Sequence, residues 1–223
     1  KKLTVFFSDI KGFTEITDRL EPEVLSTLLN SYLNEMSKIA LKYGGTIDKF
    51  VGDAILIFFG DPETKGDKED AYSCVLMALE MQERMHHLKN LWEGQGITNP
   101  LEIRIGINTG YCNVGNFGSE NRLDYTIIGG EVNLASRLES NAMTGQILIS
   151  HETYALIKKH IVCEKKDEIK VKGIAHKIQT YQVVGSYKHL VQKRKILNEE
   201  FDGFNLNIDL NISKKNKVIK SKK

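Results

Sequence analysis

The sequence predicts an α/β fold in which a mixed sheet is flanked by helices. Three observations carry that prediction. Strand-like and helix-like periodicities alternate along the 223 residues. Two apolar runs, Thr46–Phe50 and Ala54–Phe59, stand so close together that they read as a β-hairpin, which brings antiparallel pairing into the sheet. Two long amphipathic segments separate the strands and supply helices to cover it.

Taken in order, residues 3–9 form a strand rich in Val and Phe, and Glu21-Pro22-Glu23 opens a long helix. Val24, Leu25, Leu28, Leu29, Tyr32, Leu33, Met36, Ile39 and Ala40 recur at helical spacing up to the Gly44-Gly45 stop. The hairpin follows, bent at Val51-Gly52-Asp53. Residues 67–92 make a second helix, with Ala71, Val75, Ala78, Leu79 and Met85 on its inner side. Residues 101–108 alternate as a half-buried strand does, and residues 111–128 give short strand-like pieces broken by Gly115, Gly118 and Asn121. A helix over 131–139, a strand over 146–150 and a short helix over 151–160 come next, then strands near 162–171 and 177–184. No internal repeat is apparent.

Composition points to an ordinary globular protein, at 41% hydrophobic and 27% charged residues. No apolar run approaches the roughly 20 residues of a membrane span, so no transmembrane segment is expected. Cys74, Cys112 and Cys163 lie far apart without CxxC spacing, which fits structural thiols in a reducing, cytoplasmic setting. The net charge of +2 is unevenly spread. Residues 188–223 carry ten Lys/Arg against four Asp/Glu, a net +6, which leaves −4 on residues 1–187. A folded domain over 1–187 and a basic, partly disordered tail over 188–223 follow. Nothing aromatic near the chain end favours a nucleic-acid contact. Lys1 already borders the first strand, so the chain reads as a fragment with a regulatory domain expected upstream.

The chemistry centres on two aspartates in matching settings. Asp9 ends the apolar run of LTVFFSDIKGFT, and Asp53 follows the bend of TIDKFVGDAILIFF. Carboxylates on adjacent strand ends can share divalent ions, with substrate phosphates completing the coordination. Either could instead be an ordinary turn aspartate. Lys49 lies four residues before Asp53 and could donate to a base or phosphate, although an isolated strand lysine is usually solvated. Asn133 and Arg137 in EVNLASRLE share one helix face, a solvated one unless a phosphate meets the planar Arg fork. Thr126 in DYTIIGG and Lys172 in VKG are weak signals alone.

Together, FFSDIKGFT, KFVGDAIL, YTIIGGEVNLASRLE and VKGIAHKIQTYQV resemble class III nucleotide cyclase catalytic domains in order and spacing, over roughly residues 3–185. The resemblance implies a ferredoxin-like domain working as a homodimer, with each active site between subunits. It implies two divalent metal ions, Mg²⁺ or Mn²⁺, held by Asp9, Asp53 and the backbone carbonyl of Ile10. Lys49 stands where adenylate cyclases place a base-recognising lysine and guanylate cyclases usually place Glu. Thr126 matches the second base-recognising position in a subgroup with Thr or Ser there. Asn133 and Arg137 match the ribose-orienting and phosphorus-stabilising residues, and Lys172 the triphosphate lysine. The implied substrate is ATP, converted to cyclic AMP. One departure stands out: Gly130 and Glu131 occupy positions where the family commonly has Asp and then Thr or Ala. A guanylate cyclase and a catalytically silent regulatory domain are the rival readings. A polymerase-palm enzyme shares the paired aspartates but leaves Thr126, Asn133 and Arg137 unexplained.

Overall fold

A computed structural model describes residues 1–97, 101–171, 177–187, 196–201 and 204–209. Seven strands form one mixed sheet in the order β2-β3-β1-β4-β7-β9-β8. These are β1 (Lys2–Ile10), β2 (Thr46–Val51), β3 (Ala54–Phe59), β4 (Ile103–Tyr111), β7 (Ile147–Ser150), β8 (Ile161–Lys165) and β9 (Thr180–Ser186). All neighbours are antiparallel except β4 and β7. With α2 (Pro22–Tyr43) after β1 and α3 (Asp67–Gly94) after β3, the first four strands follow the β-α-β-β-α-β ferredoxin-like pattern.

The strand period decides what each face buries. In β1, Phe6 and Ile10 join the core under α2 and α3, whereas Leu3 and Val5 join a second core on the opposite face. The first core also takes Tyr32, Met36, Ala71, Cys74 and Met81 from the helices and Ile157 from α5 (His151–Ile157). The second is roofed by α4 (Gly130–Asn141) through Ala135 and by a separate hairpin of β5 (Asn113–Ser119) and β6 (Arg122–Ile128) through Ile127. Pro22 at the first turn starts α2, and Gly44, left-handed at φ 81°, ends it.

Five local features differ from what the sequence leads one to expect. A short α1 (Phe13–Thr17) follows β1, where Phe13 and Ile16 lie against the first core. Residues 113–128 form a regular hairpin rather than broken pieces, because their glycines sit within the strands instead of ending them. The strand expected near 162–171 ends at Lys165, and Ile169 makes only an isolated bridge to Ile178. Val24, placed on the inner stripe of the helix by periodicity, is 40% exposed in the first turn, and the buried residues of the helix begin only at Leu28. In the tail, β10 (Ile196–Phe201) and β11 (Phe204–Asp209) pair antiparallel where composition predicts no element. The Asp202-Gly203 dipeptide, followed by the alternating Phe204, Leu206 and Ile208, is the signal for such a pairing.

The contact between α4 and β4 is set by one residue. A Cβ built on Gly106 would stand 2.2 Å from the Glu139 nitrogen and 2.3 Å from the Ala135 oxygen, both helix backbone. Backbone cannot yield as a flexible side chain does. Gly106→Ala is therefore expected to destabilise the domain by more than the roughly 1–3 kcal/mol typical of overpacking. Denaturant unfolding measures this, and a variant within about 0.5 kcal/mol of the parent contradicts the packing described.

Candidate active site

The site begins at the ends of β1 and the β2–β3 turn. Gly52 adopts φ 64°, and no described non-glycine residue has positive φ, so the two-residue turn Gly52-Asp53 has the Gly-first pattern of a tight hairpin. That turn swings the Asp53 side chain toward β1, where its Oδ2 accepts the Ile10 backbone N–H at 3.0 Å. Asp9, Ile10 and Asp53 thus meet at one end of the sheet, where β1 stops and β2 turns into β3. Burial, then the hydrogen bond that protonated Asp53 donates to the neighbouring Asp9, and the negative charge of Asp9, push the Asp53 carboxyl up to about 7. Two acidic groups held together in a half-buried setting form a donor set that favours a cation.

Asp9 is also held from the other side. Arg104 Nη2 on β4 lies 3.2 Å from Asp9 Oδ2 and 2.9 Å from Glu139 Oε1 on α4. Burial raises the Glu139 carboxyl, with Arg104 opposing that rise. The guanidinium ties the strand bearing Asp9 to the helix bearing Asn133 and Arg137, a link not legible in the sequence. Among the described residues no group of three or more His, Cys, Asp or Glu is arranged to hold a metal. A dication at Asp9 and Asp53 would therefore draw further ligands from main-chain carbonyl, water and phosphate, as Mg²⁺ commonly does.

A second cluster gathers on the same hairpin. Lys49 Nζ lies 3.5 Å from Asp48 Oδ1, and the Thr126 hydroxyl donates to Asp48 Oδ2 at 2.7 Å. Lys49 and Thr126, on different sheets, are so brought to one carboxylate. Asn133 and Arg137 sit on the exposed face of α4, and Leu134 and Leu138 are buried beneath them. Neither side chain makes a hydrogen bond or ion pair within the described residues. Lys172 lies outside the described residues.

The unusual Glu131 has a seat of its own. Its Oε2 accepts from Asn108 Nδ2 at 2.6 Å, and its carboxyl carbon lies 2.5 Å from where a Gly110 Cβ would be. The longer side chain fits because glycine leaves the space. All three thiols are unpaired and raised by burial, Cys112 and Cys163 to about 11, so they are poor nucleophiles.

Comparison with known proteins decides the family. The family model for the adenylate and guanylate cyclase catalytic domain matches residues 1–185. This chain belongs to that family. The adenylyl cyclase CyaB from P. aeruginosa is 65% identical, with a TM-score of 0.83 over 84% of this chain and 96% of that one. The guanylyl cyclase Cya2 is 37% identical, with a TM-score of 0.79 over 83% and 93%. A terminal-differentiation specific adenylate cyclase of Dictyostelium discoideum is 34% identical over 92% of this chain, which spans 10% of that protein's length. The domain is a nucleotide cyclase catalytic domain by descent. Relatives of both base specificities surround it. No helix among the described residues is long and apolar enough to cross a membrane.

Proposed function

We propose that this domain is an adenylate cyclase that converts ATP to 3′,5′-cyclic AMP and pyrophosphate, with two copies of the chain forming two equivalent sites. The observation that carries the proposal is the convergence of Lys49 and Thr126 on one carboxylate, beside but separate from the Asp9–Asp53 pair. One cluster is suited to a base, the other to a triphosphate with its cations.

Asp9, Asp53 and the Ile10 carbonyl would hold two divalent ions, Mg²⁺ or Mn²⁺. When bound, these supply acidification of the ribose 3′-hydroxyl and neutralisation of the triphosphate. Lys49 donates to the purine ring and Thr126 meets its 6-substituent. Asn133 orients the ribose so that the 3′-oxygen faces the α-phosphorus, and Lys172 steadies the leaving phosphates. The new bond joins the 3′-oxygen to the α-phosphorus. The bond from that phosphorus to the bridging oxygen breaks, and the hydroxyl proton is released. Arg137 meets the charge that builds on the phosphorus. Orientation supplies much of the acceleration in a reaction of this kind.

Support for the shared site comes from the surface. Phe50, Val51, Leu123, Tyr125 and Ile128 are 46%, 57%, 61%, 45% and 47% exposed around the tip bearing Lys49 and the β5–β6 hairpin. Several exposed apolar side chains close to the Lys49–Thr126 cluster suit burial against a second copy of the chain.

The purified chain is to be incubated with ATP and, separately, GTP, with Mg²⁺ or Mn²⁺. Predominant cyclic AMP and pyrophosphate is the expected result. Predominant cyclic GMP assigns the domain to the rival specificity, and no product from a dimeric chain assigns it to the silent class. Lys49→Glu replaces a donor by an acceptor at the ring nitrogen. It is expected to lower the ATP-over-GTP ratio of kcat/KM by about 10–100-fold, the scale of one hydrogen-bond mismatch with a base. An unchanged ratio removes Lys49 from base recognition.

A further inference from the structure

Asp48, directly before Lys49, is not among the residues that the sequence singles out, yet it organises the base-side cluster. Between Ile47 and Lys49 the strand β2 advances two residues, while its partner β3 advances one, from Ile57 to Leu56. Asp48 is thus the extra residue of a β-bulge, a device that re-aims a side chain. In a regular strand, residues 48 and 49 would face opposite sides of the sheet. Here Lys49 Nζ and Asp48 Oδ1 approach to 3.5 Å, and the Asp48 side chain is only 1% exposed.

The other carboxylate oxygen does more. Asp48 Oδ2 accepts the Thr126 hydroxyl at 2.7 Å and the Ile127 backbone N–H at 3.3 Å. A carboxylate has only acceptors to offer, so the single Thr126 hydrogen is committed inward. Thr126 is 6% exposed, so only its lone pairs remain for a further partner, on the same carboxylate that Lys49, whose ammonium has donors alone, approaches. Adenine matches this edge, with an acceptor at ring N1 and a donor in its 6-amino group. Guanine carries the reverse, a donor at N1 and an acceptor at O6.

We infer that Asp48 is a specificity-determining positioning residue, which fixes the Thr126 hydroxyl as an acceptor so that the Lys49–Thr126 edge takes 6-aminopurine nucleotides and refuses 6-oxo ones. The inference rests on the reading that Lys49 and Thr126 face the base. A threonine free to rotate could donate to a 6-oxygen as readily as it accepts from a 6-amine, and would discriminate poorly. Asp48 itself touches no substrate.

The test uses ATP and 6-methoxypurine riboside triphosphate, which keeps the N1 acceptor but replaces the 6-amine by an oxygen with no hydrogen. The unmodified protein is expected to favour ATP by about tenfold or more in kcat/KM. Asp48→Ala is expected to bring the two substrates within a few-fold of each other, and Asp48→Asn, whose carbonyl still accepts from Thr126, to restore part of the preference. A folded Asp48→Ala protein that slows with both substrates and keeps its ratio makes Asp48 merely structural and overturns the inference. Should the alanine variant fail to fold, the unmodified protein decides alone, since equal use of both substrates overturns it too. Thr126→Val separates the two levels of the argument. If a preference seen in the parent survives that change, the base-facing reading itself fails, whatever Asp48 does.

Discussion

Asp53→Asn is expected to reduce cyclic nucleotide formation at least about a hundredfold while leaving the fold intact. The reduction follows from losing one of two carboxylates for cations that contribute several kcal/mol to transition-state charge stabilisation. The intact fold follows from geometry, because an Asn oxygen still accepts the Ile10 N–H that Asp53 uses. Stability shows a distinctive pH trend. The Asp53 carboxyl is pushed up to about 7 from an ordinary 3.8, so the folded state holds this proton more tightly than the unfolded one. Its contribution to stability is complete below about 4 and is lost as pH rises through about 7. The Asn variant has no such loss, so its Tm relative to the parent should increase between those limits in metal-free buffer. Added Mg²⁺ or Mn²⁺ should raise the parent's Tm and leave the variant's nearly unmoved. Full turnover by the variant, or an equal metal-induced shift, would sink the metal assignment.

The second large effect belongs to Arg137. Its side chain projects from the exposed face of α4 and makes no ion pair among the described residues, so Arg137→Ala should scarcely alter stability. Turnover should nevertheless fall by about 10³–10⁵, the range known for arginines that meet charge on a transferring phosphoryl group. A shared site adds a stricter consequence. If Asp53 of one copy serves the same site as Arg137 of the other, a mixed dimer of the two inactive variants places both defects in one site. The other site is then whole. Equal mixing with free exchange should recover about one quarter of the parent rate, since half of the dimers are mixed and half of their sites are intact. No recovery, in mixtures shown to exchange subunits, would mean that Asp53 and Arg137 serve a site within a single chain.

Much of this protein is legible along the chain because local rules govern it. The amphipathic stripes of α2 and α3, the Gly52 turn and the alternation of β1 depend on residues a few positions apart, and they form where periodicity predicts. The family motifs are local as well, which is why Asp9, Lys49, Asp53, Thr126, Asn133 and Arg137 could be named before any fold was known. Partnerships across the fold were not legible. Arg104 meets Asp9 across 95 residues of sequence, and Thr126 meets Asp48 across 78. The bulge at Asp48 exists only as a mismatch of step between two paired strands, so no window of β2 alone contains it. Glu131 reads as a departure from the family pattern until Gly110, on another element, is seen to leave room for it. Backbone periodicity is a property of neighbours in the chain and can be read there. Which carboxylate holds which hydroxyl depends on strand register and helix docking, and only the assembled sheet settles those.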